Sequence, residues 1–225
     1  MKMIYVVSDM HFYHWGIIPF DNRPYESHID MNEDLIKRWN SRVNVEDEVY
    51  ILGDMFFRVG RDKVDKILDQ LNGVKYYIFG NHEKPMRKEV IDKYFKQSFY
   101  YLERNFDFGE GIQRVVFSHY PIPMFNGHFR ENTIHFYGHV HTSKEQMLTV
   151  YQQMMNFEHT NEEGIHNMLN VGVMMRHMDY APKPLPYLIE TAKNKTKALY
   201  EYYNEVCGGK MPTIEEFSRQ THLYL

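Results

Sequence analysis

Cysteine is nearly absent from this sequence, whose 225 residues include one, Cys207. A single cysteine cannot form an internal disulfide, and it fits a reducing compartment. Long hydrophobic runs are also missing, since no apolar stretch reaches the roughly 18 residues of a transmembrane helix. The apolar run at the N-terminus is too short, and too soon followed by charge, for a secretory signal peptide. These absences predict a cytoplasmic protein with no membrane partner.

An excess of positive charge is missing as well. The sequence has 26 lysine and arginine residues against 30 aspartate and glutamate residues, a formal net charge of −4. Long nucleic acids are bound by clustered basic surfaces, so a nucleic acid is an alternative partner and not the favoured one. Hydrophobic residues make up 43% of the chain, enough for a folded core. Because no repeat or low-complexity linker divides it, we expect one domain over residues 1–225.

The sequence does have many histidines, 13 in all, and several follow short apolar runs typical of buried strands. Helical patterns separate several of these runs. The strand-like runs occupy residues 4–7, 49–52, 75–79, 114–117, 134–137 and 168–171. The helical patterns cover residues 32–42, 62–71, 86–96 and 187–206. Residues 142–167 show only weak helical periodicity, and the tail from residue 208 gives no signal.

Five of the strand-like runs end in a small residue followed by a side chain that can bind a metal. Parallel and mixed sheets present strand ends along one edge, so we expect these side chains to gather there. Taken singly, each has an ordinary alternative, because Gly-Asn occurs in turns and a histidine near a strand end is commonly a core or loop residue. The seven candidate metal ligands are Asp9, His11, Asp54, Asn81, His119, His139 and His141.

Seven ligands exceed the needs of one cation and suit two metals that share a bridging carboxylate. The set mixes imidazole, carboxylate and amide groups and contains no thiolate. That mixture favours manganese, iron, zinc, nickel or cobalt over a structural zinc site.

The order of these motifs over residues 8–141 resembles that of the calcineurin-like metallophosphoesterases. In chain order the motifs are Asp9-x-His11, Gly53-Asp54, Gly80-Asn81-His82-Glu83, His119 and Gly138-His139-x-His141. The resemblance implies an α/β fold in which two mixed β-sheets pack as a sandwich flanked by helices. It also implies a metal site at the carboxyl ends of the strands.

The resemblance further implies a metal-dependent phosphoric ester hydrolase acting on a nucleotide or another small phosphoester, with a phosphodiesterase favoured over a phosphomonoesterase. A metal-bridging hydroxide would attack the phosphorus, and His82 would act as general acid. Two divalent transition metals are the implied cofactors, with manganese favoured. The implied ligands are Asp9, His11 and His141 for one metal, Asn81, His119 and His139 for the other, and Asp54 as the bridge.

The chain also departs from part of this superfamily. Phe57 stands where the Ser/Thr protein phosphatases have the aspartate that orients the catalytic histidine, so protein phosphatase activity is not expected. His14, Arg23 and Arg58 are candidate substrate contacts, and the alternative for each is surface packing or a salt bridge. A nuclease acting on DNA or RNA is an alternative function, and a catalytically weak scaffold or protein-binding module is another. A homo-oligomer is left open.

Overall fold

Two mixed β-sheets pack face to face in a computed structural model of the chain. The structure describes residues 2–82, 84, 86–109, 111–159 and 167–225, apart from the side chains of residues 158 and 159. Glu83, which belongs to one of the motifs, lies outside the described residues. Helices flank the sheets, so the predicted fold class, an α/β sandwich of two mixed sheets, is confirmed.

The first sheet has five strands in the order β4-β3-β2-β1-β9. Strands β1 to β4 are parallel, and β9 runs antiparallel beside β1. Their bounds are Ile4–Val7 for β1, Glu48–Ile51 for β2, Val74–Ile78 for β3, Phe95–Phe99 for β4 and Lys183–Pro184 for β9. β2 is buried along its whole length because it is a central strand covered on both faces.

The second sheet has four strands in the order β5-β6-β7-β8. Strands β6, β7 and β8 are parallel, and β5 forms an antiparallel hairpin with β6. Their bounds are Tyr101–Asp107 for β5, Ile112–Ser118 for β6, Thr133–Tyr137 for β7 and Asn167–Asn170 for β8. The six predicted strands therefore exist, within one or two residues at most ends, whereas β4, β5 and β9 were not predicted.

A stack of aromatic rings joins the two sheets. The ring of Tyr50 in β2 lies parallel to that of Tyr76 in β3, with centroids 4.7 Å apart. Its other side stacks at 4.8 Å on Phe117 of β6, which belongs to the second sheet. Aromatic pairs of this kind contribute about 0.5–1.5 kcal/mol each beyond the burial of their area. The stack helps to fix the two sheets against each other in one core.

The helices flank the sheets. They are α1 Ile17–Phe20, α2 His28–Asn40, α3 Arg61–Leu68, α4 Lys88–Tyr94, α5 Lys144–Met155, α6 Leu185–Glu201, α7 Ile214–Ser218 and α8 Thr221–Tyr224. Helices α5 to α8 also pack on one another in a second apolar cluster. Helix α4 is shorter than the predicted 86–96, because the chain becomes extended at Phe95 and starts β4. Helix α6 continues as a π-helical turn over Tyr202–Val206. Within the described part of the chain, no helix is long and apolar enough to cross a membrane.

The sheets also meet through the backbone at the carboxyl ends of two strands. The Ser8 N–H, just after β1, donates to Val171 O at 2.9 Å, and the Val173 N–H donates to Ser8 O at 3.0 Å. Ser8 Oγ donates to Leu52 O at 2.6 Å, which ties in the end of β2. The edge at which the strands of both sheets end is therefore a fixed junction.

His135 in β7 makes an acid-sensitive point in the core. Its ring is fully buried, with Nε2 accepting from Ile122 N–H at 3.1 Å and Nδ1 at 3.2 Å from Val116 O. Burial lowers the pKa of His135 to about 4. Below about pH 6.5, His135 takes up a proton in the unfolded chain and stays neutral in the folded chain. The free energy of unfolding therefore falls by about 1.4 kcal/mol for each pH unit.

We expect the protonation of His135 in the unfolded chain to lower the free energy of unfolding by about 2 kcal/mol as the pH falls from 7 to 5. Urea unfolding at both pH values measures this loss. His135→Gln keeps a polar side chain and cannot titrate, so its loss should be smaller by that amount. Equal losses in the two proteins would contradict the prediction.

Candidate metal centre

The seven predicted ligands lie at the ends of five strands drawn from both sheets. Asp9, Asp54 and Asn81 follow β1, β2 and β3 of the first sheet. The second sheet contributes three histidines, one after β6 and two after β7. Five of the seven residues have a positive φ between 49° and 71°, a conformation that side chains other than glycine rarely adopt and that occurs at functional sites. They are Asp9, His11, Asp54, His139 and His141.

Two glycines allow the strand ends to approach closely. Gly53, with φ +82°, lies so near His119 and the Gly80 backbone that a Cβ atom would clash with both. Gly138 likewise leaves room for the side chains of Ser8 and Asp9. The glycines that precede Asp54 and His139 therefore let the two sheets converge on one site.

The first cluster consists of Asp9, His11 and His141, whose donor atoms lie within 4.8 Å of one another. Asp9 Oδ1 is 4.0 Å from His11 Nε2 and 3.8 Å from His141 Nε2. His11 is 1% exposed, and neither of its ring nitrogens has a hydrogen-bond partner. Leaving a buried polar atom without a partner costs about 1–3 kcal/mol, so this ring is suited to a ligand that is not a protein group.

The second cluster consists of Asp54, His119 and His139, again with donor atoms within 4.8 Å of one another. The side-chain oxygen of Asn81 completes it, at 3.0 Å from His119 Nε2 and 2.8 Å from His139 Nδ1. His119 Nδ1 is 2.7 Å from Leu52 O, which orients the ring so that Nε2 faces the cluster.

Asp54 lies between the two clusters. One of its oxygens, Oδ1, accepts the backbone N–H groups of Asn81 at 3.1 Å and His82 at 2.9 Å. The other, Oδ2, is 3.9 Å from His11 Nε2 in the first cluster and 3.5 Å from His119 Nε2 in the second. One oxygen therefore fixes the carboxylate, and the other points at the space that both clusters share.

The protonation states of these groups differ with their surroundings. Burial, and then the charges of His141 and Arg23, hold the pKa of His11 well below its usual value. Burial would also lower the pKa of His119, but the hydrogen bond to Asp54 and the nearby carboxylate charges outweigh it and raise that pKa to about 9. Burial acts to raise the pKa of Asp54, yet the interactions with His119 lower it overall. Asp54 is thus ionised at neutral pH, and His119 must lose a proton before it can bind a metal.

His82 stands beside the clusters and belongs to neither of them. Its Nε2 is 3.9 Å from Asp54 Oδ2, and its side chain is 37% exposed. The ring meets Phe57 edge-on at 4.8 Å, and His14 also packs on Phe57, stacked at 3.8 Å. The side chain in contact with the His82 ring is therefore apolar and cannot accept a hydrogen bond from it.

The three candidate substrate contacts have different surroundings. Arg58 is exposed, with its guanidinium 5.1 Å from the centre of the Phe57 ring. His14 is half-buried, and burial together with the charge of His82 lowers its pKa to about 4. Arg23 is different, because its side chain is completely buried. The expectation that Arg23 contacts the substrate is therefore corrected. Its side chain lies behind the first cluster, out of reach of the solvent-facing side.

Arg23 and Asp21 support the first cluster from behind. Arg23 donates to the backbone oxygens of Asp9 and Met10, both at 3.0 Å, and pairs with Asp21 at 2.9 Å. Both oxygens of Asp21 lie 3.0 Å from His141 Nδ1. A carboxylate in this place fixes the orientation of a histidine ligand. Asp21 was missed in the sequence because it directly follows the short helix α1 and belongs to no metal-binding spacing.

Asp21→Asn should weaken metal binding at the first cluster by about 10–100-fold, the usual effect of losing such a carboxylate. The reason is that His141 loses the charged acceptor that orients its ring, whereas asparagine can still accept from Arg23. Calorimetric titration with Mn²⁺ should resolve this loss, with the second cluster as internal control. Equal weakening at both clusters, or at neither, would contradict a specific role for Asp21.

Comparison with known proteins adds information on the fold. No family model matches the chain. A protein of Methanocaldococcus jannaschii described as "Uncharacterized protein MJ1445" is 41% identical over 95 residues, which are 42% of this chain and 54% of that protein. The chain thus spans about half the length of this curated relative.

A solved structure matches over more of the chain. It is the crystal structure of the protein of unknown function AQ665 from Aquifex aeolicus, with a TM-score of 0.58 and 23% sequence identity. The match covers 85% of this chain and 100% of that one. A likeness at this identity shows a shared fold, and the chemistry of the site must be argued from its own side chains.

Proposed function

We propose that this protein is a dinuclear metal-dependent phosphoesterase, and more specifically a phosphodiesterase of nucleotides or other small phosphoesters. The observation that carries the proposal is the buried, unpartnered ring of His11 beside the carboxylates of Asp9 and Asp54. A structural core histidine would have hydrogen-bond partners, as His135 has. Two adjoining sets of carboxylate and imidazole donors match the ligand preferences of divalent transition metals.

The residues present fit such a pair of cations. Asp9, His11 and His141 would hold one, and Asn81, His119 and His139 the other, with Asp54 shared. We favour manganese, and iron, zinc, nickel and cobalt suit the same ligands. When bound, a metal pair supplies Lewis-acid chemistry that activates water and offsets negative charge on the phosphoryl oxygens.

The chain itself supplies the proton donor. His82 reaches the open side of the site while its backbone N–H is held by Asp54 at 2.9 Å. Its ring is in neither cluster, so it can donate a proton to the oxygen of the leaving group. The edge-on packing against Phe57 limits how far the ring can turn. His82 is therefore the proposed general acid.

The charges around the site favour a diester over a monoester. A phosphate monoester brings a second negative charge, which an additional cation at the site would stabilise. Arg23 does not serve as that cation, because it is buried against Asp21 behind the first cluster. Arg58 remains the exposed cation among the three predicted contacts. A nuclease is the second candidate, and it is disfavoured by the net charge of −4.

The cellular setting forms part of the proposal. The one cysteine, Cys207, is a free thiol in the structure, which fits a reducing compartment. We therefore propose a cytoplasmic protein acting on a small substrate.

Metal analysis combined with a turnover panel tests the proposal. Protein supplied with Mn²⁺ should retain about two equivalents per chain, in keeping with a two-metal site. The loaded protein should hydrolyse bis-p-nitrophenyl phosphate faster than p-nitrophenyl phosphate, and removing the metal with a chelator should abolish both reactions. Metal content that stays near zero in excess Mn²⁺ would end the proposal. A preference for the monoester would overturn the diester assignment alone.

A further inference from the structure

Two exposed aromatic rings flank the metal centre, one beside each cluster. Phe20, at the end of α1, is 65% exposed, and its ring centroid is 5.5 Å from that of His141 at an interplanar angle of 90°. Tyr120 is 45% exposed, and its ring lies 4.6 Å from that of His139 at 63°. Each ring thus contacts a candidate metal ligand and still presents much of its surface to solvent.

The position of Phe20 is fixed by its neighbours. Ile17, on the preceding turn, is buried at 3% exposure, and the Asp21 N–H donates to Ile17 O at 3.0 Å. The Asp21 side chain, next in sequence, is bonded to both Arg23 and His141. An exposed phenylalanine gains little from the burial of apolar surface, so stability does not account for a ring held at this place. A fixed, exposed ring beside a catalytic centre is suited to binding a ligand.

The geometry points to a base-binding role, in which Phe20 and Tyr120 stack on the planar groups of a nucleotide phosphodiester whose phosphate lies at the metal centre. This inference rests on the proposed phosphodiesterase function and specifies its substrate class. Aromatic side chains bind nucleobases of any sequence, because every base has a π-face. One ring beside each metal cluster matches a diester that carries a planar group on each side of its phosphorus.

The surroundings of the rings argue against other apolar substrates. An acyl chain would need continuous apolar surface, whereas Phe20 packs against the polar ring of His141 and Tyr120 against that of His139. The charge of the chain argues against a long polymer, which would require many phosphate contacts. A dinucleotide or a nucleoside phosphodiester needs only one phosphate at the metals.

Two substrates with the same leaving group test the inference. The p-nitrophenyl ester of thymidine 5′-phosphate and methyl p-nitrophenyl phosphate are both diesters that release p-nitrophenolate, and only the first carries a nucleobase. Wild-type protein loaded with Mn²⁺ should show a kcat/KM about tenfold higher for the thymidine ester. Phe20→Ala and Tyr120→Ala, measured singly and together, should lower this ratio by up to about tenfold, mainly through KM.

Conservative and distant substitutions serve as controls. Phe20→Trp keeps a stacking surface and should retain the preference. Phe108→Ala removes an exposed aromatic ring at the far end of the β5–β6 hairpin, about 20 Å along the strands from His119, and should leave the ratio unchanged. A wild-type ratio near one, or a ratio unaffected by both alanine variants, would overturn the inference and leave the proposed hydrolase standing.

Equilibrium binding separates the two proposals. If the loaded protein hydrolyses neither ester, the proposed function fails, and calorimetry with thymidine 5′-monophosphate and methyl phosphate still tests the rings. We expect the nucleotide to bind wild-type protein about tenfold more tightly than methyl phosphate, and Phe20→Ala to lose most of that difference. Equal dissociation constants for the two ligands would overturn the base-binding role.

Discussion

Replacing Asp54 by asparagine is expected to lower kcat on a phosphodiester by at least roughly 10³-fold. Asparagine can still accept the N–H groups of Asn81 and His82 through one oxygen, so the loop after β2 should keep its shape. The substitution replaces the second carboxylate oxygen, Oδ2, which in the wild-type protein lies 3.9 Å from His11 Nε2 and 3.5 Å from His119 Nε2. An amide there neither carries charge nor bridges two cations. Metal analysis and steady-state kinetics on the same preparation measure both losses.

Asp47 offers a matched control at the opposite end of the same strand. It is also buried, at 2% exposure, and it accepts the backbone N–H groups of Met3 and Asn44, both at 2.8 Å. Asp47→Asn should lower the free energy of unfolding by about 1–3 kcal/mol and leave kcat and metal content unchanged. If Asp54→Asn keeps near-wild-type activity, or if Asp47→Asn loses activity equally, Asp54 is not the shared ligand.

His82→Asn is expected to lower kcat roughly 10²–10⁴-fold while metal content stays at the wild-type level. The reason is that His82 faces the open side of the site and lies in neither cluster of candidate ligands. A lost proton donor matters most when the leaving group is a poor one. The deficit should therefore be largest for alkyl leaving groups and shrink for p-nitrophenolate.

A series of diesters with leaving groups of graded basicity measures this effect. His14→Asn is the matched control, because His14 also packs against Phe57 and is the histidine predicted to contact substrate. Its loss should raise KM and leave the dependence on the leaving group as it is in wild-type protein. If His82→Asn lowers kcat equally for all leaving groups, His82 stabilises the phosphoryl oxygens and is not the proton donor. If the variant loses metal, His82 is a metal ligand.

The candidate ligands could be predicted from the sequence because each belongs to a local pattern. A short apolar run, a small residue and then a metal-type side chain are adjacent in the chain, as at Gly53-Asp54 and Gly138-His139. Parallel strands necessarily bring such positions to one edge of a sheet. The central strands were predicted for the same reason, since burial on both faces leaves an unbroken apolar run.

The edge strands could not be predicted in this way. β5 alternates between exposed and partly buried residues over most of its length, so its pattern is weakly apolar. β9 is two residues long and contains Pro184, which only an edge position tolerates well. The apolar spacing of helix α4 continues to Phe95, the first residue of β4. The predicted helix therefore ran into the strand. Pairing with a neighbouring strand, and not local preference, decides these segments.

Residue type and order alone determined that this chain carries a set of carboxylate, amide and imidazole groups at the ends of its strands. The family resemblance implied how these groups divide into two sets. Only the tertiary structure decided how closely they approach, because the second sheet brings His119, His139 and His141 onto donors that lie far away in sequence. It also decided that Arg23 lies behind the site, where a buried guanidinium needs the Asp21 carboxylate and two backbone oxygens as partners. Contacts of this kind leave no spacing pattern in the sequence, since loop residues meet their partners only after the sheets have packed.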